Sequence, residues 1–159
     1  MADIRVATAD DLDTVVVLEL EVFASRAWSP RSVEEEFTAL GETRQMWLAE
    51  VTDEGRTKSV GYTVGRYVDD VADLHRVAVL PSRRRLGIGR DLVQRVVVEA
   101  AARSCARVLL EVAADNAAAI GLYKADGFRE IDRRPRYYPG DVDAVIMQRD
   151  VDRAGRTDG

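Results

Sequence analysis

The sequence predicts a mixed α/β fold: a single-layer sheet of about seven strands with about four helices on its faces. Three observations predict it. Apolar residues switch between strand-type runs and helix-type spacing in the order strand, two helices, three strands, helix, strand, helix, two strands. Cap and turn residues, with Gly and Pro among them, separate the runs. The 159 residues fit one domain, and no repeat, linker or low-complexity segment divides them.

Each element has a local reason. Residues 4–7 read as a short strand. Thr8 offers an N-cap with Asp11 three residues on, the spacing of a capping box, and Leu12, Val15, Val16 and Val22 place a helix over 9–23. Ser29 followed by Pro30 is a cap with proline at the first helical position, so a second helix runs to about Leu40. Residues 46–51 and 60–68 form a hairpin about the turn Asp53-Glu54-Gly55-Arg56. Residues 74–79 are a third strand, ended by Pro81, which has no N–H for a ladder. After a basic, glycine-bearing stretch, a helix starts near Ile88 and carries Leu92, Val93, Val96, Val97 and Ala100 at helical spacing to Arg103. Residues 107–112 are a buried-type strand and 116–125 a short helix, with Gly127 just past its end. Residues 128–132 and 143–149 are the last strands, with 133–140 a loop between them. Residues 151–159 are expected to be a disordered tail, which leaves 1–150 as the single domain.

Charge and composition exclude several classes. Lys and Arg number 23 against 28 Asp and Glu, a net charge of −5. That balance argues against a protein that coats nucleic acid or an anionic membrane. One Cys and one His permit neither a disulfide framework nor a His/Cys zinc site within the chain, so no metal is expected. No apolar run approaches the roughly 20 residues of a membrane span, and the N-terminus lacks the shape of a signal peptide. The expected compartment is the cytoplasm, and the expected state a monomer or weak dimer.

The chemistry is concentrated at Arg83-Arg84-Arg85-Leu86-Gly87-Ile88-Gly89-Arg90. Gly87 and Gly89 let backbone approach a ligand without a Cβ in the way. The following helix aims its first N–H groups and the positive end of its dipole into the loop, and the arginines can hold phosphate bidentately. The physical reading is a pyrophosphate cradle. A Walker loop is disfavoured because no Lys or Ser/Thr follows Gly89, and a dinucleotide fingerprint by Leu92 at its third small position.

Arg84-x-x-Gly87-x-Gly89 resembles motif A of the GNAT acetyltransferases, Gln/Arg-x-x-Gly-x-Gly/Ala. The segment from Leu110-Glu111-Val112 through Asn116-x-x-Ala119 and Leu122-Tyr123 to Gly127-Phe128 is similar to the same family's second half. Arg136-Tyr137-Tyr138-Pro139 followed by Asp143-Ala144-Val145-Ile146-Met147 resembles the closing segment of its RimI-like ribosomal-protein-alanine N-acetyltransferases. The resemblance is good over 74–147 and weak over 1–73, where a Trp28-Ser29 pair after Phe23 agrees. It implies a GNAT fold: a mixed, mostly antiparallel sheet, splayed where the pantetheine arm of acetyl-CoA enters.

The resemblance also implies roles. Arg84, Arg85, Leu86, Gly87, Ile88, Gly89 and Arg90 would bind the acetyl-CoA pyrophosphate. The backbone of Val77, Ala78 and Val79 would pair with pantetheine like a partial extra strand. Glu111 would be the general base and Tyr123, whose neutral hydroxyl can donate, the acid toward the CoA thiolate. The alternatives are a strand carboxylate pairing with an Arg and a helix Tyr packing by its ring; a working base is expected to be buried. Asn116 caps the short helix by its position, and the resemblance adds a contact to the cofactor. Trp28, Tyr137 and Tyr138 become candidates for the acceptor groove. His75 reads as structural, Cys105 as packing, and Arg133-Arg134 and Glu34-Glu35-Glu36 as solvated surface.

Charge along the chain bears on the acceptor. Residues 1–74 hold 7 basic and 16 acidic groups, 75–107 hold 8 and 2, and 108–159 hold 8 and 10. An acidic N-terminal part suits a cationic acceptor, such as the N-terminus of a protein, a ribosomal protein in the resembled subfamily. The alternatives are acetylation of a small-molecule amine or a lysine side chain, and a CoA-binding module without turnover.

Overall fold

The computed structural model describes residues 2–152. Strands β1 (Asp3–Val6), β2 (Arg44–Asp53), β3 (Arg56–Val68), β4 (Val71–Val79), β5 (Arg107–Ala113), β6 (Arg129–Tyr138) and β7 (Val142–Asp150) form one sheet. Its order is β1-β2-β3-β4-β5-β7-β6. Helices α1 (Leu12–Phe23), α2 (Pro30–Phe37), α3 (Ile88–Ala102) and α4 (Ala117–Ala125) complete the expected mixed α/β fold among the described residues. The β1–β2, β2–β3, β5–β7 and β6–β7 pairs are antiparallel. The β4–β5 pair is parallel, matching Val71–Leu74 with Arg107–Leu110, as a crossover through a helix requires. The residues gather into two compact units: 1–66 with 76–96, and 67–75 with 97 onward.

The first unit begins with the expected capping box. The Thr8 side chain accepts from the first turn, and the Asp11 carboxylate accepts the Thr8 N–H at 2.8 Å. Arg5 donates to both Asp11 oxygens at 2.8 and 2.9 Å and to Glu50 at 2.6 Å. Arg5, with the Thr8 N–H, holds the Asp11 carboxyl below the usual carboxylate range against the opposing cost of burial. Glu54 and Gly55, at φ 49° and 76°, form the tight β2–β3 turn whose twist matches its strands. Met46–Ala49 of β2 and Val60–Gly65 of β3 are buried without alternation, so both faces are covered there. Val15, Leu18, Val33, Leu92, Val93 and Val96 contribute to the same core. A Cβ on Gly61 would lie 2.6 Å from the Ala78 carbonyl oxygen, so only glycine allows that close approach. Helix α2 ends at Phe37 rather than near Leu40. Thr38 closes it with a bond to the Glu35 carbonyl, and Gly41 at φ 85° turns the chain into β2.

In the second unit β5 alternates: Val108, Leu110 and Val112 are buried, Arg107 and Glu111 exposed. Asn116 caps α4 by accepting the Ala119 N–H at 3.2 Å, and Gly127 follows its end at φ 92°. The loop expected over 133–140 is largely strand. Arg133 and Arg134 pair with Val145 and Ala144, and Tyr138 with Val142. Pro135 is tolerated because β6 is the sheet's last strand and the register shifts between Arg134 and Tyr138. The expected tail also starts too early. Val151 is buried and donates its N–H to the Ala106 carbonyl at 2.9 Å. Residues 153–159 of that tail lie outside the described residues. Among the described residues no helix is long and apolar enough to cross a membrane.

Candidate active site

The first unit carries the basic loop. After β4 a short 3-10 turn spans Pro81–Arg83, and α3 begins at Ile88 as expected. Arg85 and Gly87 take positive φ, 63° and 82°. Glycine suits that conformation, whereas a side chain at position 85 is strained by it. A Cβ on Gly87 would meet nothing within 4 Å, so its backbone faces open space. Arg84, Arg85, Leu86, Gly87 and Arg90 are exposed, Gly89 is half-buried, and Ile88 is buried and anchors the helix start. These surroundings fit an anionic ligand: exposed guanidinium groups, an approachable backbone and a helix N-terminus share one loop. Val77, Ala78 and Val79 precede it on β4, beyond Leu74, the last residue of that strand paired with β5. Ala78 is buried and its neighbours half-buried, as strand residues of ordinary packing are.

The second unit carries Glu111, Asn116 and Tyr123. The Glu111 side chain is 32% exposed, which corrects the expectation of a buried base. The reason is its place on the face of β5 opposite Val108, Leu110 and Val112. Arg134 Nη1 lies 3.9 Å from Glu111 Oε1, so the anticipated arginine pairing exists, long and solvated. Tyr123 is buried and meets the Phe128 ring edge-on at 5.8 Å between centroids. Its ring therefore packs as the alternative reading supposed.

The acceptor candidates divide. Tyr137 is 52% exposed and stacks edge-on with the half-buried Tyr138 at 5.2 Å, on the second unit. Trp28, on the first, is half-buried and donates its backbone N–H to Glu19 Oε1 at 2.9 Å. Sequence reasoning passed over the cluster behind it. Glu19 is wholly buried and accepts from Tyr62 Oη and from Arg76 Nε and Nη2. The available signal was a lone Glu on the apolar face of α1, between Leu18 and Leu20. Arg133 is exposed, as expected of solvated surface, and there pairs with Glu130 at 3.0 Å and Asp143 at 3.4 Å. Within the acidic run, Glu36 pairs with Arg44 at 2.7 Å, so part of the negative charge of the N-terminal part is neutralised locally. Cys105 is buried, in keeping with a packing role, and His75 is half-buried. Among the described residues no group of three or more His, Cys, Asp or Glu side chains is placed to hold a metal ion.

Comparison with known proteins bears on the family and the fold. Residues 14–128 match the acetyltransferase (GNAT) family. A ribosomal protein bS18-alanine N-acetyltransferase of Escherichia coli K12 is 42% identical over 93 residues, covering 57% of this chain and 63% of that protein. The match thus spans less than two thirds of that relative's length. The crystal structure of the ribosomal-protein-S18-alanine N-acetyltransferase from Escherichia coli shares the fold at a TM-score of 0.85 and 33% identity, covering 99% of this chain and 98% of that one. Arabidopsis thaliana NAA60 in complex with acetyl-CoA, 19% identical with a TM-score of 0.81 over 95% of this chain and 99% of that one, is alike in fold alone. The chain belongs to the acetyltransferase (GNAT) family.

Proposed function

We propose that this acetyltransferase-family chain moves the acetyl group of acetyl-CoA to the N-terminal α-amine of a protein, a ribosomal protein being the acceptor that its Escherichia coli relatives' names suggest. The observation that carries the reading is the basic loop before α3, with positive φ at Arg85 and Gly87 and open space in front of Gly87. Residues 1–150 act in this reading as one catalytic domain.

Acetyl-CoA, when bound, supplies a thioester whose acyl carbon an amine can attack. Arg84, Arg85 and Arg90 and the N–H groups at the start of α3 hold its pyrophosphate. The backbone of Val77, Ala78 and Val79 pairs with the pantetheine arm in the manner of an added strand. Asn116, already the cap of α4, contacts the same molecule. The acceptor arrives as an ammonium and must lose a proton before it is nucleophilic. Glu111, exposed on its strand, accepts that proton at a carboxylate oxygen, directly or through a water. Its exposure suits this task, because the carboxylate must meet an external amine and return its proton to solvent. Tyr123 Oη donates a proton to the departing thiolate sulfur. Trp28, Tyr137 and Tyr138 line the acceptor side.

The experiment is an acceptor panel with labelled acetyl-CoA. Peptides with a free N-terminus are expected to take up label, and the same peptides with the α-amine blocked to take up none. Transfer to the blocked peptides would move the acceptor to lysine. Transfer only to polyamines or aminoglycoside-like amines would make it a small molecule. Binding of acetyl-CoA without release of CoA to any amine would replace the enzyme with a binding module.

A further inference from the structure

A wholly buried carboxylate lies outside the proposed machinery. Glu19, on α1, is 0% exposed. Its Oε1 accepts the Trp28 N–H at 2.9 Å and Arg76 Nη2 at 2.8 Å; its Oε2 accepts Arg76 Nε at 3.0 Å and the Tyr62 hydroxyl at 2.5 Å. Arg76 Nη2 also reaches the Arg26 carbonyl at 3.3 Å. Its guanidinium lies 3.5 Å from the Phe23 ring centroid and 4.8 Å from that of Trp28. Burial, reinforced by Glu19, pushes the Tyr62 phenol well above its ordinary range, so it stays protonated and donating. One carboxylate thereby ties α1, β3 and β4 to the turn that leads into α2.

An arrangement of this kind is a poor way to gain stability. Buried ion pairs are commonly matched or exceeded by apolar side chains of the same volume. What the carboxylate adds is geometry, because its bonds are directional. Two of its four donors belong to Arg76 and one is the Trp28 backbone itself, while the Arg76 cation rests against the Trp28 indole. Trp28 is thus held from two sides, just before the Ser29 cap of α2.

We infer that Glu19 is a positioning residue for acceptor binding, acting through Trp28, with Arg76 and Tyr62 as the groups that hold it in place. The inference rests on the reading of Trp28 as part of the acceptor side. Glu19 touches neither acetyl-CoA nor the reacting amine. It sets where the indole stands, and so how tightly a peptide binds before transfer.

The test is steady-state kinetics with a peptide that the acceptor panel identifies, comparing Glu19→Gln, Trp28→Ala and their double variant. Glu19→Gln and Trp28→Ala are each expected to raise the peptide KM about tenfold, the scale of losing a charge-assisted bond. The acetyl-CoA KM should stay within about twofold. The double variant should be no worse than the poorer single one, since both changes act through one indole. Tyr62→Phe removes one donor with little change of shape and should give a smaller rise of the same kind, which serves if Glu19→Gln does not fold. A full additional loss from Glu19→Gln in the Trp28→Ala protein overturns the inference. So does an equal rise in the acetyl-CoA KM, or a fall in melting temperature with both KM values unchanged. Failure of the functional reading looks different, since the unmodified protein then acetylates no peptide. In that event the emission maximum and acrylamide quenching of Trp28, read in a Trp47→Phe background, are compared with and without Glu19→Gln, and equal values overturn the inference.

Discussion

Two glutamates occupy nearly the same sequence setting and end in opposite surroundings. Glu19 stands between Leu18 and Leu20, and Glu111 between Leu110 and Val112. Glu19 is wholly buried with all its bonds made inside the protein, whereas the Glu111 side chain is 32% exposed with one arginine at 3.9 Å. What separates them is the element beneath. On α1, position 19 falls on the buried stripe with Val15 and Leu18, where a charge survives only with partners. On β5, alternation turns position 111 away from its buried neighbours. Burial of a carboxylate here therefore follows from the element that carries it, not from its neighbours in sequence. A buried, fully bonded carboxylate can hold structure but has no lone pair left for a substrate. A solvated one is weakly held and able to exchange a proton.

The largest effect that would sharpen the comparison is on stability. Glu19→Ala leaves Arg76, Tyr62 and the Trp28 N–H without their acceptor and should cost about 3–5 kcal/mol in urea unfolding. Glu111→Ala should stay within about 0.5 kcal/mol of the parent. Comparable losses at both sites would break the distinction. Activity should reverse the ranking. Glu111→Gln is expected to lower kcat about a hundredfold, the smaller end of what a general base contributes, while Glu19→Gln leaves kcat within about threefold at saturating peptide. Near-normal turnover of Glu111→Gln at its best pH would remove it from the chemistry. Tyr123→Phe keeps the ring that meets Phe128, so folding should be unaffected while kcat falls about tenfold and acetyl-CoA affinity holds. Weaker acetyl-CoA binding at unchanged kcat would reduce Tyr123 to packing. The smallest effect belongs to the arginine partners. Arg134→Gln, which breaks the solvated pair, should shift stability by less than about 0.5 kcal/mol. Arg76→Gln, which strands Glu19, should cost several times more.

Much of the architecture could be read from local signals, because those signals act over a few residues. The Thr8–Asp11 box, the Ser29-Pro30 start, the Glu54-Gly55 turn and the Asn116 cap all formed where expected. Only the start of β6, within the strand expected over 128–132, could be read, and its continuation to Tyr138 could not. Arg129–Tyr138 carries no apolar alternation, a Pro stands in it, and all but its last residue are exposed. It is a strand because β7 offers a ladder, which no property of its own residues reveals. The basic loop was legible from its glycines and arginines, and Glu111 and Tyr123 were picked out by resemblance. Less of their surroundings was legible: an arginine partner for Glu111 and ring packing for Tyr123 were among the readings, whereas the exposure of Glu111 and the pairing of Arg133 with Glu130 and Asp143 depend on register and packing.

Sequence alone determined the order of elements, the caps and turns, the basic glycine-bearing loop before α3 and the family, since each rests on residues close together in the chain. The meaning of its charges was decided only in three dimensions. Arg76 counts toward the basic segment by position, yet it answers Glu19, 57 residues earlier. Glu36 counts toward the acidic part and is neutralised by Arg44. Electrostatic worth depends on distance and on exclusion of water, and neither quantity exists until distant segments are brought together. A carboxylate's partners, and with them its role, are for that reason a property of the folded chain.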